Sequence, residues 1–130
     1  MTVVSTAFDD ERFRKEERLR KRPQFLRTRR QGRRGGGRWV VAYALPNDEG
    51  HPRLGVTASR RVGNAVRRNE WKRRLRDIFR RNKRRFGASH DVVIIVKGGQ
   101  ALPEYEDLRR DVFRAVGRAH AELERRGAKR

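Results

Sequence analysis

In LGVTASRRVGNAVRRNEWKRRLRDIF, residues 54–79, the apolar positions change their period partway along. Up to Ser59 they belong to RLGVTAS, 53–59, a β-branched run of the kind that forms a strand. Beyond Gly63 they recur at intervals of three and four, the spacing of one helix face. The pattern predicts a helix from about Asn64 to Arg85, advancing about 100° per residue. On it Trp71, Leu75, Ile78, Phe79 and Asn82 share one arc. Arg68, Asn69, Lys72, Arg73, Arg76 and Arg80 share the adjacent arc. Glu70 and Asp77 fall beyond, each four residues ahead of an arginine (Arg74 and Arg81), which is the spacing of solvent-side helix pairs. One side packs, one is left to bind, and one is solvated.

Residues 60–85 hold thirteen basic residues against two acids, a local +11 within a net charge of +20. A charge run is ordinarily a solvated face with both signs interspersed. Here the signs are segregated, so the repulsion calls for a polyanion laid against the stripe. Arg outnumbers Lys, which suits bidentate phosphate recognition. Each phosphate neutralised releases counterion and makes affinity steeply salt-dependent. A cationic membrane-surface segment or a disordered basic tail would show the same charge, but the apolar residues here come in periodic blocks. Nucleic acid is the partner this footprint favours.

The rest of the 130 residues reads as one domain. Residues 1–17 mix acids and bases without apolar period and are expected to be a poorly ordered extension; 18–126 form the domain, and 127–130 a basic tail. Leu19, Phe25 and Leu26 line a short first helix with Pro23 in its first turn. QGRRGGGR, 31–38, reads as a flexible Gly/Arg loop. RWVVAYAL, 38–45, is a strand, PNDEGHP, 46–52, a turn, and DVVIIVKG, 91–98, a buried central strand. A last helix starts near Pro103-Glu104, with Tyr105, Leu108, Val112, Val116, Ala119 and Leu123 on its apolar stripe and His120 off it, in solvent. Its acids lie early and its arginines late, matching the helix dipole.

The sequence holds no cysteine, and its longest apolar run, VVIIV at 92–96, is far short of a bilayer span. MTVVSTAFDDER lacks the basic start of a secretory signal, so a cytoplasmic protein is expected. No Walker loop, Gly-x-Ser-x-Gly or His/Glu metal pair is present, and His51, His90 and His120 are scattered. Gly35, Gly36 and Gly37 lack the strand–glycine–helix context of a phosphate loop. These residues describe a binding subunit rather than a self-sufficient catalyst.

The 54–79 segment resembles the signature of the bacterial ribonuclease P protein subunits. The match runs through Gly63, Asn64, Ala65, Val66, Arg68, Asn69, Lys72, Arg73 and Arg76 at fixed spacing, and the order of elements is similar from about Leu19 to Leu123. The resemblance implies an α+β fold in the order α-β-β-β-α-β-α: a four-stranded sheet with packed helices, like a domain of some ribosomal proteins. Only two strands are legible before the basic helix, so the extra one is expected to be short and near the Gly/Arg segment. The resemblance also implies a left-handed β-α-β crossover, where the general rule gives a right-handed one.

Function implied by the resemblance is that of a protein subunit assisting removal of the 5′ leader of precursor tRNA. The chemistry would belong to a catalytic RNA, with Mg²⁺ in the RNA active site and no catalytic or metal-binding residue on the protein. The partners would be that RNA and precursor tRNA, with no membrane or protein partner. Residues matching the family's contact with the catalytic RNA are Arg60, Arg61, Asn64, Arg67, Arg68, Asn69, Lys72, Arg73, Arg76 and Arg80. Residues matching its leader cleft are Phe25, Arg29, Tyr43, Thr57 and Ser59. The competing reading of Phe25 and Tyr43 is plain core packing. Two positions depart from the family pattern: Glu70 stands where an arginine is usual, and Arg29 where a second aromatic is usual. The rival readings are a ribosomal or other structural RNA-binding protein, an architectural binder of duplex DNA, and a protein-only nuclease.

Overall fold

The computed structural model describes residues 10–128, so residues 1–9 of the expected extension and 129–130 of the tail lie outside the described residues. In chain order the elements are α1 (Arg22–Gln31), β1 (Arg33–Gly36), β2 (Val40–Pro46), β3 (Arg53–Thr57), α2 (Ala65–Arg81), β4 (His90–Val96) and α3 (Tyr105–Ala128). They build one four-stranded mixed sheet in the order β1-β2-β4-β3. β2 lies antiparallel to both β1 and β4, while β3 joins β4 in parallel. Parallel neighbours need a crossover connection, and α2 provides it. This is the α+β architecture expected. Among the described residues no helix is long and apolar enough to cross a membrane.

Alternation along the strands sorts the sheet into two unlike faces. Val40, Ala42 and Ala44 of β2, Leu54 of β3, and Val92, Ile94 and Val96 of β4 point to one face. There they meet Trp71, Leu75, Ile78 and Phe79 of α2 and Leu108, Val112, Ala115, Val116 and Ala119 of α3. The opposite face carries the rung Arg34–Tyr43–Val93–Gly55 and, beside it, Gly36–Val41–Ile95–Thr57. α1 covers only part of that second face, lying over β2 and β4.

The Gly/Arg segment is an ordered edge strand, not a flexible loop. At Gly35 a β-carbon would overlap the Ala115 carbonyl and lie 2.5 Å from the Ala119 amide. Glycine therefore lets α3 press directly on β1. The turn that follows is held by Asp111 of α3, which is buried and accepts hydrogen bonds from the amides of Arg38 (2.6 Å), Trp39 (2.8 Å) and Val40 (3.3 Å). A fully buried carboxylate is tolerable only with such donors.

Two further expectations are corrected. α2 stops at Arg81 rather than Arg85; the Asn82 side chain donates to the Ile78 carbonyl at 2.8 Å, and a separate 3₁₀ turn, Lys83–Phe86, delivers Phe86 into the core. Asn competes for backbone groups in this way and so terminates helices. Leu19 is not on the first helix: it precedes α1, is buried, and its amide donates to the Leu54 carbonyl at the edge of β3. Within residues 10–17, two side chains reach the core: Phe13 meets Phe79 edge-on at 5.4 Å, and Glu17 is fully buried with Lys83 Nζ 2.7 Å away.

The glycine argument predicts a contrast between neighbours. Gly35→Ala should destabilise the fold by about 3 kcal/mol through overpacking. Gly36→Ala, where a β-carbon meets nothing within 4 Å, should change stability by less than about 0.5 kcal/mol. Urea unfolding midpoints at unchanged m-value measure both.

Candidate nucleic-acid interface

The entry to α2 is built by its own short polar residues. Ser59 Oγ accepts from the Arg61 amide at 3.3 Å, and Asn64 Oδ1 caps α2 by accepting from the Arg67 amide at 2.9 Å. Between them Val62 is buried, and Gly63 takes φ +146°, a conformation that side chains resist. This elbow leaves Arg60, Arg61, Asn64 and Arg67 exposed around the helix N-terminus. That end of the helix also carries the positive pole of its dipole.

Along α2 the arc expected to pack does so: Trp71, Ile78 and Phe79 are 0% exposed and Leu75 2%. Asn69, Arg73 and Arg76 project into solvent, while Arg68, Lys72 and Arg80 are half-buried at the flanks. Arg80 is the least available of the set. It pairs with Asp77 at 2.5 Å and donates to the Glu11 carbonyl at 3.2 Å. Asp77 also meets Arg81 at 3.4 Å, as expected, but the Glu70–Arg74 pair does not form. Arg74 instead donates to the carbonyl of Pro103 at 3.2 Å, which ties the helix to the segment before α3.

Over this outer side runs a groove of about 640 Å³. Its basic and polar lining includes Asn69, Arg73 and Arg76, with Glu70 and Asp77 on the same walls, and it is closed by Phe13, Leu102 and Tyr105. Burial, with Asp77 nearby, pushes the Tyr105 phenol above its usual pKa. The acids are off the densest stripe, yet they share its groove. Sequence reasoning missed Phe13, Leu102 and Tyr105 as parts of this surface. An aromatic within a polar extension was the available signal for Phe13.

The five cleft candidates lie on and around the opposite face of the sheet. The Phe25 ring packs against Gly55 of β3, and Tyr43 lies on the same rung. Both are half-buried, so each packs on one side and shows an edge on the other. The Arg29 guanidinium stands 5.6 Å from the Tyr43 ring centroid, a cation–π contact in place of a second aromatic. Thr57 and Ser59 are exposed at the end leading to α2. Ser59 Oγ is already engaged as a cap.

Two of the three histidines meet in space. The rings of His90 and His120 meet edge-on at 4.4 Å, and His120 Nε2 lies 3.1 Å from the Phe86 carbonyl, so His120 is half-buried rather than solvated. Burial, reinforced by His120, holds His90 below the usual histidine pKa. His51 is buried near the Pro52 carbonyl. Among the described residues, no three His, Asp or Glu side chains converge as metal ligands.

Comparison with known proteins converges on one family. The family model described as Ribonuclease P matches residues 13–120. The ribonuclease P protein component of Syntrophus aciditrophicus is 42% identical over 100 residues, covering 77% of this chain and 84% of its own. That of Citrifermentans bemidjiense is 37% identical over 106 residues, covering 82% and 90%. Among solved structures, the RNase P protein from Thermotoga maritima superposes with a TM-score of 0.66 at 32% identity, over 74% of this chain and 91% of its own. The Staphylococcus aureus RNase P protein gives 0.70 at 27% identity, over 78% and 93%. The chain belongs to the ribonuclease P protein family.

Proposed function

We propose that the chain is the RNA-binding subunit of a ribonuclease P ribonucleoprotein, assisting endonucleolytic removal of the 5′ leader from precursor tRNA. The observation that carries this reading is the segregation on α2: a buried apolar arc, and beside it an exposed stripe with Asn69, Arg73 and Arg76 at its centre. Such a stripe neutralises phosphates of a folded RNA without itself offering a nucleophile or a general base. In keeping with the family resemblance, phosphodiester hydrolysis is left to the catalytic RNA, with Mg²⁺ held there.

On this reading the protein works through position and charge. The α2 stripe, with Arg60 and Arg61 on its approach, docks on the catalytic RNA. Phe25, Tyr43, Thr57 and Ser59 line a path for the single-stranded leader, with Arg29 drawing its phosphates toward Tyr43. An aromatic edge in such a path can stack a base, worth about 1–3 kcal/mol. Reduced phosphate repulsion lets the RNA fold at lower divalent concentration, so the protein should lower the Mg²⁺ needed for cleavage.

Reconstitution with a bacterial catalytic RNA tests the whole reading. Precursor tRNA cleavage at low Mg²⁺ and fixed ionic strength should rise sharply when the protein is added; an unchanged Mg²⁺ midpoint would refute it. Replacing Lys72, Arg73 and Arg76 with alanine should flatten the salt dependence of RNA affinity by about 0.7–0.9 per lost contact, or roughly 2–3 in the log–log slope. An unaltered slope would mean that the stripe does not touch phosphate. Phe25→Ala should weaken binding of leader-bearing tRNA by about tenfold while sparing mature tRNA, the loss of one stacked base. Equal losses for both would point to misfolding, given the contact of Phe25 with β3.

A further inference from the structure

Phosphate binding leaves one feature of the α2 groove unexplained. A carboxylate facing a polyanion is repulsive unless something donates a proton to it in a hydrogen bond. Asp77 is compensated by Arg80 and Arg81. Glu70 is not: Arg74, the arginine spaced to pair with it, is taken by the Pro103 carbonyl, and Glu70 has no ion pair among the described residues. It stands exposed in the groove whose lining also includes Arg73, Leu102 and Tyr105.

RNA offers a carboxylate few donors, and only one base offers two side by side. The Watson–Crick edge of guanine presents N1–H and an N2 amino hydrogen in parallel, matching the two oxygens of a carboxylate. Its opposite edge, O6 and N7, is the preferred partner of arginine. Bases leave the stack at loops and bulges of folded RNA, where proteins hold them on aromatic or guanidinium planes. The groove combines these requirements. Glu70 supplies the acceptor, Tyr105 and Leu102 an apolar surface for a base, and Arg73 and Arg76 the cations for the far edge and its phosphates. At about 640 Å³ it has room for one nucleotide.

We propose that this groove receives one unstacked guanosine of the catalytic RNA, its N1–H and N2–H edge held by the Glu70 carboxylate and its face laid against Tyr105. The proposal rests on the RNA-binding reading above and adds base recognition to a surface otherwise assigned to phosphate. It also gives a role to Glu70, one of the two departures from the family pattern.

The decisive test uses the sign of a charge effect. Affinity of the full chain for the catalytic RNA is measured for the unaltered protein, Glu70→Gln and Tyr105→Leu. The RNA is prepared either intact or with inosine, which lacks the N2 amino group, randomly replacing guanosine. A merely solvated acid predicts that Glu70→Gln binds RNA as tightly or more tightly, because one repulsive charge is gone. Guanine recognition predicts the opposite, a loss of about tenfold with the salt slope unchanged. It also predicts one guanosine at which inosine weakens binding to the unaltered protein and has no added effect in Glu70→Gln. Tyr105→Leu should lose about tenfold as well; should it fail to fold, the exposed Glu70→Gln variant still decides. Tighter binding by Glu70→Gln, or an inosine pattern identical in both proteins, overturns the proposal. Failure of the unaltered protein to lower the Mg²⁺ midpoint is a different result and removes the functional reading itself.

Discussion

Trp71, Leu75, Ile78 and Phe79 hold α2 against the sheet, and the orientation of every cation on that helix depends on this anchor. Full burial of four such side chains stabilises by about 1.5–3 kcal/mol each. Opposing it are like-charge neighbours such as Arg68–Lys72, Lys72–Arg76 and Arg76–Arg80, each worth only about 0.2–0.5 kcal/mol at helical spacing. The anchor wins by a wide margin. A segment that would repel itself as a free peptide thus becomes a fixed cationic surface, and α2 cannot roll its stripe inward without exposing a tryptophan that is now wholly buried.

The same logic governs the buried charges. Glu17 and Lys83 meet at 2.7 Å where the extension crosses the end of α2, and Asp91 is gripped by Arg53 through two contacts of 2.7 and 2.8 Å, with Asn47 donating at 2.8 Å. Buried ion pairs add little net stability against apolar replacements, but losing one partner is costly. Their effect here is to fix geometry. The first holds residues 10–17 beside α2, so that Phe13 can close one end of the groove, and the second pins the β3–β4 pair at its polar end.

What the sequence revealed and what it concealed follow one physical division. The α2 faces and the strands over 40–46, 53–57 and 90–96 were legible because burial imposes a period on neighbouring residues. The edge strand Arg33–Gly36 was expected only from the family resemblance and not from any period, because its glycine is selected by the approach of α3, more than seventy residues away in sequence. Phe13, the His90–His120 contact and the capture of Arg74 by Pro103 are likewise long-range or single contacts with no local period. For the site, the stripe was legible and the groove was not. A groove needs two walls, and Leu102 and Tyr105 reach it from a different part of the chain.

The two surfaces assigned to RNA lie on opposite faces of the sheet, and one short segment belongs to both. Thr57 and Ser59 stand exposed at the end of the proposed leader path, and the chain then passes through Arg60 and Arg61 into α2. This elbow has little freedom. Ser59 and Asn64 cap its turns, Val62 is buried beneath it, and the Gly99 amide donates to the Arg61 carbonyl at 3.3 Å from the loop after β4. A leader in the cleft and a catalytic RNA on α2 would therefore be held in a set relation before either binds. Ordering a loop at the moment of binding costs roughly 0.5–1.5 kcal/mol per immobilised side chain, and a preformed elbow avoids that cost. On the proposed function, in which a substrate strand and a catalytic RNA are brought together, rigidity at this one turn contributes as directly as the charge on either side of it.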